Sequence, residues 1–214
     1  MPVQNQLNAD VQGAVVINNT VISGAEQQYR AGGYGLLASL FRSVPDQAIL
    51  TQIVDLKDAG NEPLDELALA MSMLALAAKN ISAESVDDEY HALFIGLGRG
   101  EMVPYGSWYL TGFLMEKPLS LLRDDLKVLG FQRDEGVKEP EDHVAALCEV
   151  MAMLVTEQHS LAVQVNFFET HIAPWFERFF ADLSQAQSAV FYRAVGRFGK
   201  AFTDFEKQYL SMKV

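Results

Sequence analysis

Five consecutive residues, Glu139-Pro140-Glu141-Asp142-His143, bring a histidine together with three carboxylates. A histidine beside three carboxylates is expected to keep its proton, and such a group can anchor a polar ligand. A second reading needs no ligand: Asp142 caps a helix starting near His143, and Pro140 stiffens the entry. Another acidic run, Asp87-Asp88-Glu89, stands just before Tyr90, Leu93, Phe94 and Leu97. Those four fall at i, i+3, i+4 and i+7, the spacing of one helix face. Beyond them, Pro104-Tyr105-Gly106-Ser107-Trp108-Tyr109 carries three large aromatics in a segment that reads as a loop. That much apolar surface in a loop either folds back on the core or waits for a partner.

The remaining reactive groups point away from catalysis. No two of the four histidines, His91, His143, His159 and His171, stand at i+3 or i+4, and neither His-Glu-x-x-His nor Cys-x-x-Cys occurs. No metal site is therefore expected. The single cysteine, Cys148, falls on an apolar helical face, where a thiol packs as a small hydrophobe. Gly96, Gly98 and Gly100 have the look of a phosphate loop, but they follow a helix and no Lys-Ser/Thr comes after them. They read as a helix stop, and no cofactor is expected.

The elements that must position these residues are helical. Ala25 to Arg42 places Tyr29, Gly33, Leu36, Leu37 and Leu40 on one face, with glycines that let another helix approach. Pro45 opens a helix holding Ile49, Ile53 and Leu56. Glu62, Pro63, Asp65 and Glu66 announce the next, with proline and acids in its first turn. Pro118 starts another that Gly130 ends, and Val144, Leu147, Cys148, Met151, Leu154 and Val155 line one more. A segment from Pro174 is rich in aromatics, and Ser184 with Gln187 fits a capping box for the last helix. Residues 15–22 form either a short hairpin around Asn18-Asn19 or a loose arm. The fold class expected is all-α: an arm over residues 1–24, a helical lobe over 25–130, a polar hinge over 131–142, and a second lobe over 143–214.

Composition narrows the partners. The chain has 28 acidic against 16 basic residues, a net charge of −12. Phosphate backbones would be repelled, whereas basic peptides would be attracted. No apolar run approaches the roughly 20 residues needed to span a bilayer, and the N-terminus lacks the pattern of a signal peptide. A soluble, cytoplasmic protein without stable membrane insertion is expected.

Taken together, Tyr90-x-x-Leu93-Phe94-x-Gly96, Pro104-Tyr105-Gly106-Ser107-Trp108-Tyr109 and Glu139-Pro140-Glu141-Asp142-His143 resemble the TorD/DmsD family. The segment His171-Ile172-Ala173-Pro174-Trp175 with Arg178 and Phe179 is similar to the family's C-terminal half. The resemblance covers roughly residues 25–210. It departs at Gly106, where many members have Glu, and at Leu97, where they often have Pro, which leaves the subfamily and its client open. Members are cytoplasmic maturation chaperones of molybdenum-cofactor redox enzymes. The resemblance implies a non-enzymatic, TorD-like helical protein that binds the twin-arginine leader and the apo catalytic subunit of a molybdoenzyme before export. It assigns peptide binding to Tyr90, Leu93, Phe94, Pro104, Tyr105, Asp142 and His143, with Trp108 added by adjacency. Glu139, Pro140 and Glu141 then belong to the hinge. A twin-arginine leader needs carboxylates for its cations and an apolar groove for the rest. The rival readings are a guanine-nucleotide-binding protein or hydrolase, and a structural assembly subunit. Both a monomer and a domain-swapped dimer fit the sequence.

Overall fold

The structure, a computed structural model, describes residues 15–17, 20–22, 24–56, 65–96, 100–134 and 136–212. Val15–Ile17 (β1) pairs antiparallel with Thr20–Ile22 (β2), Val16 opposite Val21. Asn18 and Asn19 lie outside the described residues, as do Glu62, Pro63, Leu97, Gly98 and Arg99. All other regular structure among the described residues is helical, as the all-α reading requires. In order come α1 (Gly24–Arg42), α2 (Gln47–Leu56), α3 (Glu66–Lys79) and α4 (Ala83–Tyr90), which runs into a π turn at His91–Ile95. Then follow α5 (Gly106–Thr111), α6 (Lys117–Val128), α7 (Val144–Thr156) and α8 (Leu161–Phe167). A second π turn, Phe168–Ile172, leads into α9 (Ala173–Gln185), and α10 (Phe191–Met212) closes the chain.

Packing crosses the polar segment 131–142. α1 lies along α7, and α10 packs on both α9 and α3. One apolar core joins Leu37, Leu40 and Phe41 of α1 to Leu147 and Met151 of α7 and to Phe180 and Tyr192 beyond. The segments 25–130 and 143–214 are thus successive in sequence but share a single interior. The glycine-mediated approach expected of α1 is real at Gly33, where a Cβ would lie 2.2 Å from the Phe202 ring of α10. Nearby, fully buried Arg30 pairs with fully buried Glu206 at 2.7 Å. Gln164 accepts from the same guanidinium at 2.8 Å, and the Tyr34 hydroxyl donates to Glu206 at 3.0 Å. This network links α1, α8 and α10.

The starts of α3 and α6 follow the local chemistry, and that of the last helix does not. Asp65 caps α3 by accepting the Ala68 amide at 2.8 Å, and Pro118 sits in the first turn of α6. Ser184 and Gln187 do not cap the last helix. Ser184 lies inside α9 and donates to the Ala181 carbonyl at 2.8 Å. α10 starts later, and its cap comes from another element: the Glu89 carboxylate accepts the amides of Val190, Phe191 and Tyr192 at 2.8, 2.9 and 2.7 Å. Periodicity also overstated two core positions, since Tyr29 and Leu56 are exposed. Gly96 ends the first π turn with φ +59°, a conformation that glycine adopts freely.

Candidate functional site

Two motifs separated in sequence meet in space. Tyr105 and His143 form an isolated antiparallel bridge. The Val144 amide donates to the Pro104 carbonyl at 2.9 Å, and the Gly106 amide donates to the Asp142 carbonyl at 2.9 Å. The Asp142 side chain reaches further, its Oδ2 accepting the Ser107 amide at 2.8 Å. Asp142 therefore caps α5, not the helix that follows it. The cap of α7 is His143, whose Nδ1 accepts the Ala145 amide at 3.2 Å.

That bond and the burial of the ring overturn the expected imidazolium. Burial, and after it the charge of Arg42, lower the His143 pKa from 6.5 to about 4, so the ring is neutral at pH 7. Tyr105 stands edge-on to it, with ring centroids 5.0 Å apart, and its hydroxyl donates to Glu139. Burial first, then that bond, raises the Tyr105 pKa. Glu141 is engaged as well, by Arg123 at 2.8 Å and Arg133 at 3.9 Å. Burial works against its charge, but the Arg123 hydrogen bond and both guanidiniums hold its carboxyl below the usual range. One acceptor of the five-residue motif stays unused: Asp142 is 3% exposed, and its Oδ1 has no hydrogen-bond partner among the described residues. A buried carboxylate oxygen left in this way is costly unless a donor arrives.

Asp142 lines a cavity of about 150 Å³ with Leu110, Leu121, Leu122 and Trp175. His171, on the same cavity, is held by Asp125 at 2.7 Å. The segment joining α5 to α6 is apolar and exposed: Phe113 is 68% and Met115 72% accessible, with Leu114 between them. Leu110 and Leu121 are partly exposed on the flanks. Met115 takes φ +59° and donates its amide to Ser107 Oγ at 3.2 Å, which fixes the segment to α5. Sequence reading passed over this surface. Its signal was Leu110-Thr111-Gly112-Phe113-Leu114-Met115, an apolar run broken by glycine ahead of Pro118.

The other predicted residues divide. Leu93 is fully buried in the core. Tyr90 is buried too, and its hydroxyl donates to the Phe41 carbonyl at 3.1 Å. Burial and then the Glu139 charge raise its pKa, so it lies within electrostatic reach of the cluster. Phe94 packs edge-on against Phe41, Tyr90 and Tyr192, with centroids 5.6, 5.0 and 5.1 Å away. Trp108 lines a different cavity, about 460 Å³, with Tyr109, Arg178 and Asp182. Of the acidic run, Asp87 pairs with His91 at 3.3 Å and Glu89 is consumed in capping α10, which leaves Asp88 exposed. Cys148 is buried, and burial pushes its thiol pKa up. Among the described residues, no group of three or more His, Cys, Asp or Glu is placed to hold a metal ion. No single described helix is long and apolar enough to cross a membrane.

Fold and site together define an all-α protein in which a buried carboxyl group, one oxygen without a partner among the described residues, lies beside an exposed apolar surface. The chain belongs to the nitrate reductase delta subunit family, whose model matches residues 55–181. It is 30% identical over 129 residues to the chaperone protein TorD of Vibrio cholerae serotype O1, a match that covers 55% of this chain and 59% of that protein. It is 30% identical over 141 residues to the Tat proofreading chaperone DmsD of Salmonella typhimurium, covering 64% and 67%. The chain thus spans about three fifths of the length of the TorD relative. A crystal structure of a redox enzyme maturation protein from Archaeoglobus fulgidus shares the fold, with a TM-score of 0.56 and 21% identity over 83% of this chain and 93% of that one.

Proposed function

We propose that this protein is a cytoplasmic, non-catalytic chaperone that binds the twin-arginine leader and the apo catalytic subunit of a molybdenum-cofactor oxidoreductase. The observation that carries the reading is the buried Asp142 carboxylate, with one oxygen fixed and one unused, beside an apolar cavity. A guanidinium supplies the missing donors, and its stem packs on Leu110 and Leu121. The leader's apolar stretch then lies on Phe113, Leu114 and Met115. A neutral His143 adds no repulsion to an incoming cation. Pro104, Tyr105, His143 and the hinge residues Glu139, Pro140 and Glu141 hold Asp142 in place. Tyr90, Leu93 and Phe94 support that scaffold from the core, and Trp108 serves a neighbouring cavity. The net charge of −12 steers a cationic peptide toward the protein. The names of the Vibrio and Salmonella relatives agree with this role.

The test is calorimetric titration with synthetic leaders from several molybdoenzymes, alongside copies with both arginines replaced by glutamine. Micromolar binding, about −8 kcal/mol, to one leader and not to its glutamine copy is the expected result. A folded, monodisperse protein that binds no leader overturns the proposal.

A further inference from the structure

A second groove lies away from Asp142, between α3, α4 and the first turns of α10, with a volume of about 740 Å³. Its floor is apolar: Leu76, Ala77 and Ile81 on one side, Phe191 and Ala194 on the other. Leu76 is 55% and Val190 73% accessible, so the apolar surface reaches the rim. Arg193 and Arg197 stand on the α10 side, both exposed, one turn apart. Like charges at i,i+4 repel on a helix surface. Yet neither arginine has a carboxylate within ion-pair distance among the described residues, in a chain with 28 acids. Arg197 donates to the Met73 sulfur at 3.7 Å. Glu89, which also borders the groove, is spent on the α10 amides, and Asp88 is an exposed acid on the α4 side. The groove is therefore polarised, with a cationic α10 rim, an acidic α4 rim and an apolar floor.

We propose that this groove docks an amphipathic helix of a partner protein, apolar face down and acidic flank against Arg193 and Arg197. Helix-in-groove recognition needs an apolar trench and a charge pattern that sets orientation, and both are present. The surface is separate from the Asp142 site, and the inference stands whether or not the leader reading holds.

The probe is a labelled amphipathic peptide with leucines at i, i+3, i+4 and i+7 and glutamates on one flank, compared by fluorescence anisotropy with the same peptide carrying lysines. The glutamate peptide binds, and the lysine peptide is weaker by at least roughly tenfold. The double variant R193E/R197E reverses that order, and Leu76→Glu removes both. All three positions are exposed, so melting curves stay unchanged. An excess of twin-arginine leader does not displace the peptide. Equal affinity for both peptides, no binding of either, an order unmoved by the charge swap, or displacement by the leader each overturns the proposal. So does sedimentation of the protein alone as a dimer that R193E/R197E dissociates, because a second copy is then the occupant.

Discussion

Asp142 accepts the Ser107 amide through Oδ2 at 2.8 Å, while its Oδ1, in the same buried carboxylate, has no hydrogen-bond partner among the described residues. One oxygen fixes the first turn of α5, and in the proposed scheme the other receives the leader's guanidinium. Asp142→Asn separates the two roles, since an amide oxygen still accepts from Ser107 but the charge is gone. Leader affinity is expected to fall roughly 10- to 100-fold, the worth of a charged hydrogen bond, with stability changed by less than about 1 kcal/mol. Asp142→Ala also loses the cap, which costs about 1 kcal/mol more. Calorimetry and urea unfolding on the same preparations measure both quantities. Unchanged leader binding by Asp142→Asn would remove the carboxylate from the recognition scheme.

Glu89 carries a different weight. Its carboxylate receives three buried or partly buried amides at the start of α10, on the far side of the chain in sequence. Glu89→Ala strands them, and each unsatisfied buried donor costs about 1–3 kcal/mol. A loss of about 3 kcal/mol or more is expected in urea denaturation. Glu89→Gln keeps one acceptor oxygen and falls in between. Asp88→Asn, at an exposed position, shifts stability by no more than about 0.5 kcal/mol. Equal effects at positions 88 and 89 would contradict the capping role.

The neutral His143 makes stability depend on pH. Its folded pKa of about 4 lies below the ordinary 6.5. As pH falls, the unfolded chain takes up the proton first. The contribution of the neutral ring is complete above pH 6.5 and drains away between 6.5 and 4, on the order of 3 kcal/mol in all. His143→Asn supplies a non-titrating acceptor for the Ala145 amide. The stability of the native protein relative to this variant is expected to decline across that window. A difference that stays flat from pH 7 to pH 4 would show that the ring charges without penalty in the fold.

Sequence pattern carried the helices because their apolar faces are periodic. It failed where one residue serves an element far along the chain. Asp142 sits two residues ahead of α7 and looks like its cap, yet its side chain caps α5, while His143 takes the α7 cap position. Glu89 looks like part of a solvated acidic run, and nothing local says that α10 begins against it. The charge of His143 was misjudged for the same reason: neighbours in sequence are carboxylates, but Glu139 and Glu141 bond to Tyr105 and Arg123, and burial decides. Hydrophobic spacing also could not separate Leu93, which is core, from Phe113, which is surface.

That last distinction can be measured. Leu93 is fully buried, so Leu93→Ala removes core packing and is expected to cost about 2–5 kcal/mol. Any binding loss in that variant follows its unfolding curve and vanishes when the folded fraction is corrected for. Phe113 and Leu121 are 68% and 50% exposed. Replacing both with serine removes apolar contact surface from the free protein at little cost, within about 0.5 kcal/mol each. If the leader's apolar stretch lies there, the double variant binds roughly tenfold or more weakly while its melting temperature holds. Binding in this variant should also lose its negative heat-capacity change in part, because less apolar surface is buried on association. Undiminished affinity together with an unaltered heat-capacity change would move the apolar subsite away from the α5–α6 segment and toward the cavity beside Trp108.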